Sequence, residues 1–491
     1  MPRYLKIDSL DNVAVALTGL NKGENLDGVT LLDDIKQGHK FALKDIKQGE
    51  NIIKYGYPIG HASKDIKQGQ HVHSFNLETN LSGELEYVYS PKHSEVKPVK
   101  ERFVKVYKRK FNKVGIRNNL MIVPLVGCIN ASAERIKSIL ESQVDKNEVD
   151  EIIVARHPYG CSQLGDDHLT TVKVLQSLVK HPNNGGILVL SLGCENNQLD
   201  AFKASLGEYD TDRVRFLRAQ DVNDEVEEGV KLCLELIERM KLDKREETSI
   251  KDITIGLKCG GSDGFSGITA NPLVGRVSDY MASVGGSTIL TEVPEMFGAE
   301  HLLMERADSK QTFDKIVNLV NSFKNYYAEH HQVCYENPSP GNKEGGITTL
   351  EEKSLGCTQK SGHSDVKDVL YLGDQVKISG LNLLNGPGND MVACTNLACA
   401  GAHLILFTTG RGTPFGTVVP TVKVATNSNI AAHKNGWIDF NAGQLLDGVS
   451  MDDLSEEFLD FIIKVINNEI KTKNEINKFE EIAIFKDGVT L

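Results

Sequence analysis

Two short turns of the chain carry side chains that bind metals or move protons. They contain His157, Tyr159, Cys161 and His168 in the first turn, and Cys194 and Glu195 in the second. Each turn follows an apolar run of strand length, Ile152–Ala155 or Ile187–Leu192, and a helical pattern over Leu169–Lys180 lies between them. This order predicts a β-α-β unit whose right-handed crossover places both turns at one sheet edge, where open α/β sheets bind ligands. A tight polar loop with one buried cysteine is the alternative.

Cysteines recur at the predicted strand ends. Strands predicted to end near residues 126, 155, 192 and 257 are each followed by a cysteine, namely Cys128, Cys161, Cys194 and Cys259. One such cysteine is common as a packing residue, but four at equivalent edges predict a cleft lined by thiols. Soft thiolates together with imidazole favour iron or zinc over magnesium. The spacing is not that of a closed structural zinc site, so we expect any metal to keep open positions for substrate.

An N-terminal repeat predicts a separate small module. The sequence Asp-Ile-Lys-Gln-Gly occurs three times, ending at Gly38, Gly49 and Gly69, next to strand-like runs. The repeat predicts a compact all-β module over residues 1–75, with each glycine in a turn of positive φ. His39 directly follows the first turn and is placed to project toward a neighbouring domain. His71 and His73 share one strand face, where they could chelate a metal or be solvated.

The remainder of the chain predicts a linker and two larger domains. Residues 76–111 are charged and aperiodic, as in a linker with a little extended structure. Residues 112–248 and 249–491 each alternate apolar runs of strand length with helical patterns. The predicted fold class is therefore α/β, with a small all-β module followed by two domains that have mainly parallel sheets.

Three loops of the last domain have the composition of ligand walls. The stretch Lys258–Gly267 is rich in glycine and contains Ser262 and Asp263, as in cradles for small anions, but it lacks the nucleotide-binding spacings. A loop stiffened by two prolines presents Asn337 and Lys343. Arg411 lies between two glycines, where it could capture a carboxylate or brace its own loop.

The bulk composition excludes several classes of partner. The 491 residues are 40% hydrophobic and carry a formal net charge of −12, without a basic block that could follow a phosphate backbone, so we expect no nucleic acid partner. No apolar run is long enough for a membrane span or a secretory h-region. Nine cysteines without a CxxC pair favour a reducing, cytoplasmic setting over a disulfide framework.

The assembled motifs resemble the altronate/galactarate dehydratase family over essentially the whole chain. The shared motifs are Gly38-His39-Lys40, Ile53–Gly56, Gly160–His168, Gly193–Gln198, Cys259–Gly264, Thr291–Gly298, Asn337–Lys343 and Thr409–Pro414. Narrower runs resemble the altronate branch, namely His71–His73, Gln163–His168, Asn196–Gln198, Pro294–Gly298 and Gly356–Lys360. The resemblance implies an N-terminal β-clip module of the SAF type. It also implies an iron(II)-dependent hydro-lyase, with manganese as a tolerated metal, which converts D-altronate to 2-dehydro-3-deoxy-D-gluconate and water in hexuronate breakdown.

That chemistry assigns roles to the candidate residues. Removing the weakly acidic C2 proton of a sugar acid requires cations around the developing dianion. It also requires a proton-carrying group whose pKa lies near neutral pH. We predict that the metal ligands are His39, His157, Cys161, Cys194 and Glu195. Proton transfer is assigned to His157, Lys54, Tyr159 and His168. Substrate binding is assigned to Arg411, Lys343, Asn337, Ser262 and Asp263.

Other functions stay open from the sequence. Galactarate dehydratase is the alternative within the family, and a sulfolactate-type lyase is a more distant one. The β module could instead bind sugar acids as a sensor, with the α/β part as a scaffold. The sequence does not determine the oligomeric state, and a homo-oligomer is compatible with it.

Overall fold

The computed structural model describes residues 2–81, 86–94, 99–145, 148–333 and 336–490. Residues 82–85 and 95–98 of the predicted linker lie outside the described residues. No helix in the described part of the chain is long and apolar enough to cross a membrane.

The N-terminal region is an all-β module of short strands. These strands are β1 Tyr4–Leu5, β2 Val13–Ala16, β3 Asn25–Leu26, β4 Val29–Thr30, β5 Lys40–Ala42, β6 Asn51–Lys54, β7 Tyr57–Ala62, β8 His71–Val72 and β9 Leu77–Glu78. They form antiparallel sheets in the orders β1-β2-β5-β8 and β6-β7-β9, with β3-β4 as a hairpin. The predicted positive φ is found at all three repeat glycines, with values of 80° at Gly38, 84° at Gly49 and 81° at Gly69.

The second region is built on a parallel four-stranded sheet. Its strands and the short strands that flank it are β10 Phe103–Lys108, β11 Val114–Gly115, β12 Asn119–Pro124, β13 Ile152–Val154, β14 Asn184–Ser191, β15 Val214–Arg218 and β16 Arg245–Ser249. The helices are α1 Asn130–Gln143, α2 Gly165–Val179, α3 Leu199–Ser205 and α4 Glu225–Met240. The parallel sheet has the order β13-β12-β14-β15, while β10 pairs antiparallel with β11 and β16. The predicted linker thus contributes strand β10 to an antiparallel sheet.

The third region is built on a seven-stranded parallel sheet. Its strands are β17 Thr254–Cys259, β18 Ser287–Leu290, β19 Val366–Leu370, β20 Gly380–Leu384, β21 Leu404–Thr409, β22 Thr421–Ala425 and β23 Phe440–Asn441. The helices are α5 Ala270–Ser283, α6 Glu300–Met304, α7 Lys310–Glu329, α8 Pro340–Glu344, α9 Leu350–Cys357, α10 Asp390–Cys399, α11 Ser428–His433, α12 Met451–Ile466 and α13 Lys473–Asn477. The order β19-β20-β18-β17-β21-β22-β23 confirms the predicted fold class of a small β module with mainly parallel α/β sheets.

The strand order locates a crevice in this large sheet. From β17 the chain proceeds to β18 on one side and later returns to β21 on the other. A ligand crevice is expected outside the carboxyl ends of the strands at such a reversal. The last residue of β17 is Cys259.

We expect the glycine at the third repeat turn to be needed for folding of the module. A Cβ atom at Gly69 would lie 2.0 Å from the carbonyl oxygen of Thr30, whereas a Cβ at Gly49 would meet nothing within 4 Å. Both positions have positive φ, so either alanine substitution costs roughly 1–2 kcal/mol. Gly69→Ala should therefore lower the melting temperature well beyond Gly49→Ala in matched thermal unfolding scans. Equal melting temperatures for the two variants would contradict the packing described.

Candidate active site

The carboxyl ends of β17 and β18 bring two polar segments together. Because the strands are parallel neighbours, Cys259 at the end of β17 faces the turn that follows β18. That turn is a 3-10 helix over Val293–Glu295, entered through Glu292 in the left-handed conformation, with a φ of 71°. The carboxylate of Glu292 accepts a hydrogen bond from the backbone N–H of Cys259 at 3.0 Å and so joins the two strand ends.

Helix α9 supplies the third side of the site. All eight of its residues are buried, so its polar side chains must find partners inside the protein. Lys353 and Cys357 are four residues apart and therefore share one face of the helix. A 3-10 helix over Thr358–Ser361 continues from α9 and carries the buried Lys360.

Two thiols and a carboxylate converge between these elements. The sulfur of Cys259 lies 3.4 Å from that of Cys357, and both lie close to Glu295 Oε2, at 3.2 Å and 3.1 Å. Their donor atoms all lie within 4.8 Å of one another, and no other group of three or more His, Cys, Asp or Glu side chains in the described ranges is this compact. Buried thiolates with one carboxylate form a donor set that suits a soft or borderline divalent metal.

Three lysines balance the negative charge of this cluster. Lys360 donates to the sulfur of Cys259 at 2.8 Å, and Lys353 pairs with Glu295 at 2.8 Å. Lys258 pairs with Glu292 and, at 2.9 Å, with Asp390. Three ammonium groups offset three carboxylates, so two thiolates would need two further positive charges. One divalent metal ion would supply these two charges. Compensation is needed because a buried charge without a counter-charge is strongly destabilising.

The same contacts perturb the pKa values of Glu295 and Lys353. Burial raises the pKa of Glu295, but the ammonium groups of Lys353, Lys258 and Lys360 outweigh it and hold that pKa well below its usual range. Burial lowers the pKa of Lys353, yet the Glu295 carboxylate reverses this effect and leaves that pKa raised. Glu295 is therefore a permanent carboxylate and Lys353 a permanent cation near neutral pH.

A cavity of about 500 Å³ opens beside this cluster. Its wall includes Cys259, Gly260, Glu295, Asn337, Ser339, Asn342, Lys353, Asp390 and the rings of Phe323, Tyr326 and Phe485. Lys353 also donates to the side-chain oxygen of Asn337 at 2.9 Å. The cavity thus combines a cation, amide groups and a carboxylate beside a potential metal site, which suits a small polar ligand.

The β module holds α9 in place from the opposite side. Glu352, next in the chain to Lys353, accepts from Lys40 and Lys54 at 2.8 Å each, and all three side chains are buried. The preceding Glu351 accepts from the side chain of Thr79 at 2.8 Å. Helix α9 is therefore clamped between the module and the cavity.

Comparison with known proteins gives these residues a family context. Three family models match in succession: the altronate/galactarate dehydratase SAF domain at residues 2–80, the D-galactarate dehydratase/altronate hydrolase second domain at 106–241, and the D-galactarate/altronate dehydratase C-terminal domain at 250–490. The chain belongs to the altronate/galactarate dehydratase family. The resemblance in the sequence motifs is thereby confirmed.

Full-length relatives lie in both branches of this family. Altronate dehydratase of Escherichia coli is 53% identical over 495 residues, and altronate dehydratase of Bacillus subtilis is 53% identical over 498 residues, each covering 100% of both chains. Galactarate dehydratase (L-threo-forming) of Escherichia coli is 30% identical over 98% of this chain and 96% of its own.

The structure does not gather the predicted metal ligands into one site. Both ring nitrogens of His157 are bound by backbone: Nε2 lies 2.8 Å from the carbonyl of Pro124, and Nδ1 accepts from Tyr159 N–H at 3.1 Å. The carboxylate of Glu195 accepts from Ser191 and two backbone N–H groups of its own turn. These side chains shape turns of the second region, and they do not form a compact group with His39, Cys161 or Cys194 among the described residues.

His39 lies instead in a cluster with the two other histidines of the module. Its Nδ1 is 3.1 Å from His71 Nε2, and its ring stacks on that of His73 at 5.1 Å between centroids. His39 and His73 also contact the backbone carbonyls of Glu344 and Lys343. Burial lowers the pKa of all three histidines, that of His71 to about 4. His39 does project onto the neighbouring domain, as its position after the turn predicts.

The residues predicted to transfer protons have separate locations. Lys54 is in the buried ion pair with Glu352. Tyr159 packs half-buried against the apolar cluster between the two α/β regions, and His168 lies in the first turn of α2 with its Nδ1 buried and unpaired. Roles for Tyr159 and His168 stay predictions.

The predicted substrate-binding residues divide between the cavity wall and its supports. Asn337 lies in the wall. Asp263 is buried and accepts from Thr426, Asn427 and Ser266, so it braces its loop, and the carbonyl of Ser262 accepts from Asn342 at 2.8 Å. Arg411 pairs with Glu344 at the surface. Lys343 is half-buried, and its backbone carbonyl lies 2.9 Å from His73 Nε2.

The sequence alone predicts only a small part of the central cluster. It marks Cys259 as a strand-end cysteine, but it assigns no role to Glu295, Lys353 or Cys357. The sequence does contain a signal for Glu295. Thr291–Glu295 directly follows β18 and Cys259 ends β17, and neighbouring parallel strands place such residues at the same sheet edge. No spacing rule places Cys357, which is 98 residues after Cys259.

We expect Glu352→Gln to destabilise the protein strongly. The change leaves the buried ammonium groups of Lys40 and Lys54 without a counter-charge, which costs about 3–5 kcal/mol for a broken buried pair. The matched control is Glu344→Gln, because Glu344 pairs with Arg411 at the surface with 65% of its side chain exposed. Thermal unfolding should show a large drop in melting temperature for the first variant and none for the second. Equal stability of the two would contradict the clamp.

Proposed function

We propose that this chain is a hydro-lyase that dehydrates D-altronate to 2-dehydro-3-deoxy-D-gluconate and water. The observation that carries the proposal is 53% identity to two altronate dehydratases over the full length of both chains, against 30% to a galactarate dehydratase. The polar cavity beside Cys259 and Lys353 supports it, since a sugar acid requires cationic and amide groups of this kind. We also propose that the protein acts in the cytoplasm, in the breakdown of hexuronates.

In this proposal the substrate carboxylate lies beside Lys353. Loss of the C2 proton converts the substrate into a dianionic ene-diolate, and a fixed cation in a buried site stabilises that added charge more than it stabilises the substrate. The Glu295 carboxylate keeps Lys353 charged. The side-chain amide of Asn337 in the cavity wall is suited to bind a substrate hydroxyl, whereas that of Asn342 is already bonded to Ser262, Ser339 and Lys353.

We assign the proton transfer to Asp390. Asp390 is the first residue of α10 and lines the cavity. It lies close to Gly260, because a Cβ atom added to that glycine would be 2.6 Å from Asp390 Oδ2. With 37% of its side chain exposed, it is accessible from the cavity although Lys258 holds it at 2.9 Å. The carboxylate takes the C2 proton and passes it to the departing C3 hydroxyl, so that water leaves, an enol remains and Asp390 is regenerated. The enol then gains a proton at C3 and loses the proton of its 2-hydroxyl, which gives the 2-keto product.

The metal belongs to the cluster of Cys259, Glu295 and Cys357. Their mixed sulfur and oxygen donors fit iron(II), with manganese(II) as a weaker substitute for the thiolates. When bound, the metal supplies Lewis-acid polarisation of the substrate carboxylate and 2-hydroxyl.

We expect purified protein loaded with iron(II) under anaerobic conditions to turn over altronate far faster than galactarate.

Lys353→Met should lower kcat on altronate on the order of 10²–10³-fold, because it removes a charge that acts on the transition state. The exposed Lys310→Met on α7 is the control and should leave kcat unchanged. Preference for galactarate, or full activity of Lys353→Met, would overturn the proposal.

We also expect Cys357→Ser to lower the bound iron content. The serine hydroxyl is a harder and less acidic donor than the thiol it replaces. Iron per chain in excess of acid-labile sulfide, measured after desalting, should fall severalfold, while the buried Cys233→Ala on α4 should retain the content of the unmodified protein. Equal iron content in all three proteins would remove Cys357 from the metal site.

A further inference from the structure

A second group of cysteines lies at the edge of the four-stranded sheet. Three Gly-Cys pairs follow three adjacent parallel strands: Gly127-Cys128 after β12, Gly160-Cys161 after β13 and Gly193-Cys194 after β14. Because β12 lies between β13 and β14 in the sheet, all three pairs lie at the same carboxyl edge. The thiols are therefore arranged on neighbouring turns.

Hydrogen bonds join the three turns to one another. Gly127 N–H donates to the carbonyl of Tyr159 at 2.8 Å, which connects the first turn to the second. Asn197 N–H donates to the carbonyl of Gly160 at 3.1 Å, and Ser162 N–H donates to the side chain of Asn196 at 2.8 Å. These bonds connect the second turn to the third and fix the cysteine-bearing backbone as a unit.

The glycines before the cysteines allow this close approach. A Cβ at Gly160 would lie 2.1 Å from the carbonyl oxygen of Leu125, and one at Gly127 would lie 2.9 Å from that of His157. A Cβ at Gly193 would lie 2.5 Å from the side-chain oxygen of Gln220. Each Gly-Cys pair thus combines tight turn packing with a thiol at the next position.

The three thiols differ from the other cysteines in their exposure. Cys128, Cys161 and Cys194 are exposed, whereas Cys233, Cys259, Cys357, Cys394 and Cys399 are buried; Cys334 lies outside the described residues. A buried free cysteine packs as a small apolar residue, but an exposed one has no packing role. Three exposed thiols on one rigid edge are therefore available to bind a ligand.

Their separation favours a polynuclear ligand over a single ion. Adjacent strands are about 4.8 Å apart, so the outer two of three strands are separated by about 10 Å. The three sulfurs are not within the 4.8 Å that would let one ion bind them all. His157 and Glu195 cannot complete a mononuclear site, since their nitrogens and oxygens already bind backbone groups and Ser191.

We propose that Cys128, Cys161 and Cys194 hold an iron–sulfur cluster of the [4Fe–4S] type. Cysteine thiolates are the usual ligands of such clusters. Each thiol releases its proton when its sulfur binds iron. Three protein ligands leave one iron open to solvent or to an oxygen donor. This site shares no ligand with the cluster of Cys259, Glu295 and Cys357, and it does not depend on the function proposed for that cluster.

The test is reconstitution of the full-length protein with iron(III), sulfide and a thiol reductant under nitrogen, in which the thiol reduces the part of the iron that enters the cluster as iron(II), followed by desalting. We expect about four acid-labile sulfides per chain, with about four irons in addition to the single iron at Cys259, Glu295 and Cys357, and visible charge-transfer absorption. The single variants Cys128→Ser, Cys161→Ser and Cys194→Ser should each lose most of the sulfide. Cys233→Ala should retain it, and unchanged circular dichroism should show that every variant is folded.

Two outcomes would overturn the cluster. In the first, the unmodified protein contains iron or zinc after reconstitution but no acid-labile sulfide. In the second, all three serine variants retain the sulfide content of the unmodified protein. Cys357→Ser separates this site from the proposed catalytic metal, because it should keep the labile sulfide while it loses non-sulfide iron. Altronate turnover is measured independently, so failure of the cluster and failure of the proposed activity are distinguishable.

Discussion

The site depends on one constraint, which is that the buried charges of helix α9 must be neutralised from both sides at once. Glu352 is paired with Lys40 and Lys54 of the β module, and the adjacent Lys353 is paired with Glu295 at the cavity. Buried ion pairs add little net stability, but an unpaired member is strongly destabilising. The module therefore helps to position the cavity wall, since its lysines fix the helix that presents Lys353 and Cys357. A separable sensor module would not need two buried lysines directed into its neighbour.

Much of the fold was predictable because it follows from local periodicity. The predicted strands Ile152–Ala155 and Ile187–Leu192 and the predicted helix Leu169–Lys180 correspond within a few residues to β13, β14 and α2, and the three repeat turns have the predicted positive φ. The predicted equivalence of four strand-end cysteines was wrong, because Cys128, Cys161 and Cys194 belong to one sheet and Cys259 to another. Apolar runs reveal that a strand exists but not which sheet it joins. Long-range pairs such as Cys259 with Cys357 depend on that topology, so the central cluster could not be read from spacing.

The two groups of thiols illustrate how environment distinguishes residues that look alike in sequence. Cys259 and Cys357 are buried among lysines and carboxylates, where contact with Cys259 and burial raise the pKa of the Cys357 thiol. A further positive charge, such as that of a metal ion, would favour ionisation of the Cys357 thiol. Cys161 and Cys194 are exposed on turns connected by backbone hydrogen bonds. The first environment suits a single ion beside a substrate cavity, and the second suits a larger ligand at the protein surface.

The most direct test of the account is a crystal structure of the protein grown anaerobically with iron(II) and altronate, with anomalous scattering measured at the iron edge. The account predicts an anomalous peak between the sulfurs of Cys259 and Cys357 and Glu295 Oε2, with the altronate carboxylate beside Lys353. A substrate bound at the histidines of the β module, with no iron among Cys259, Glu295 and Cys357, would contradict it.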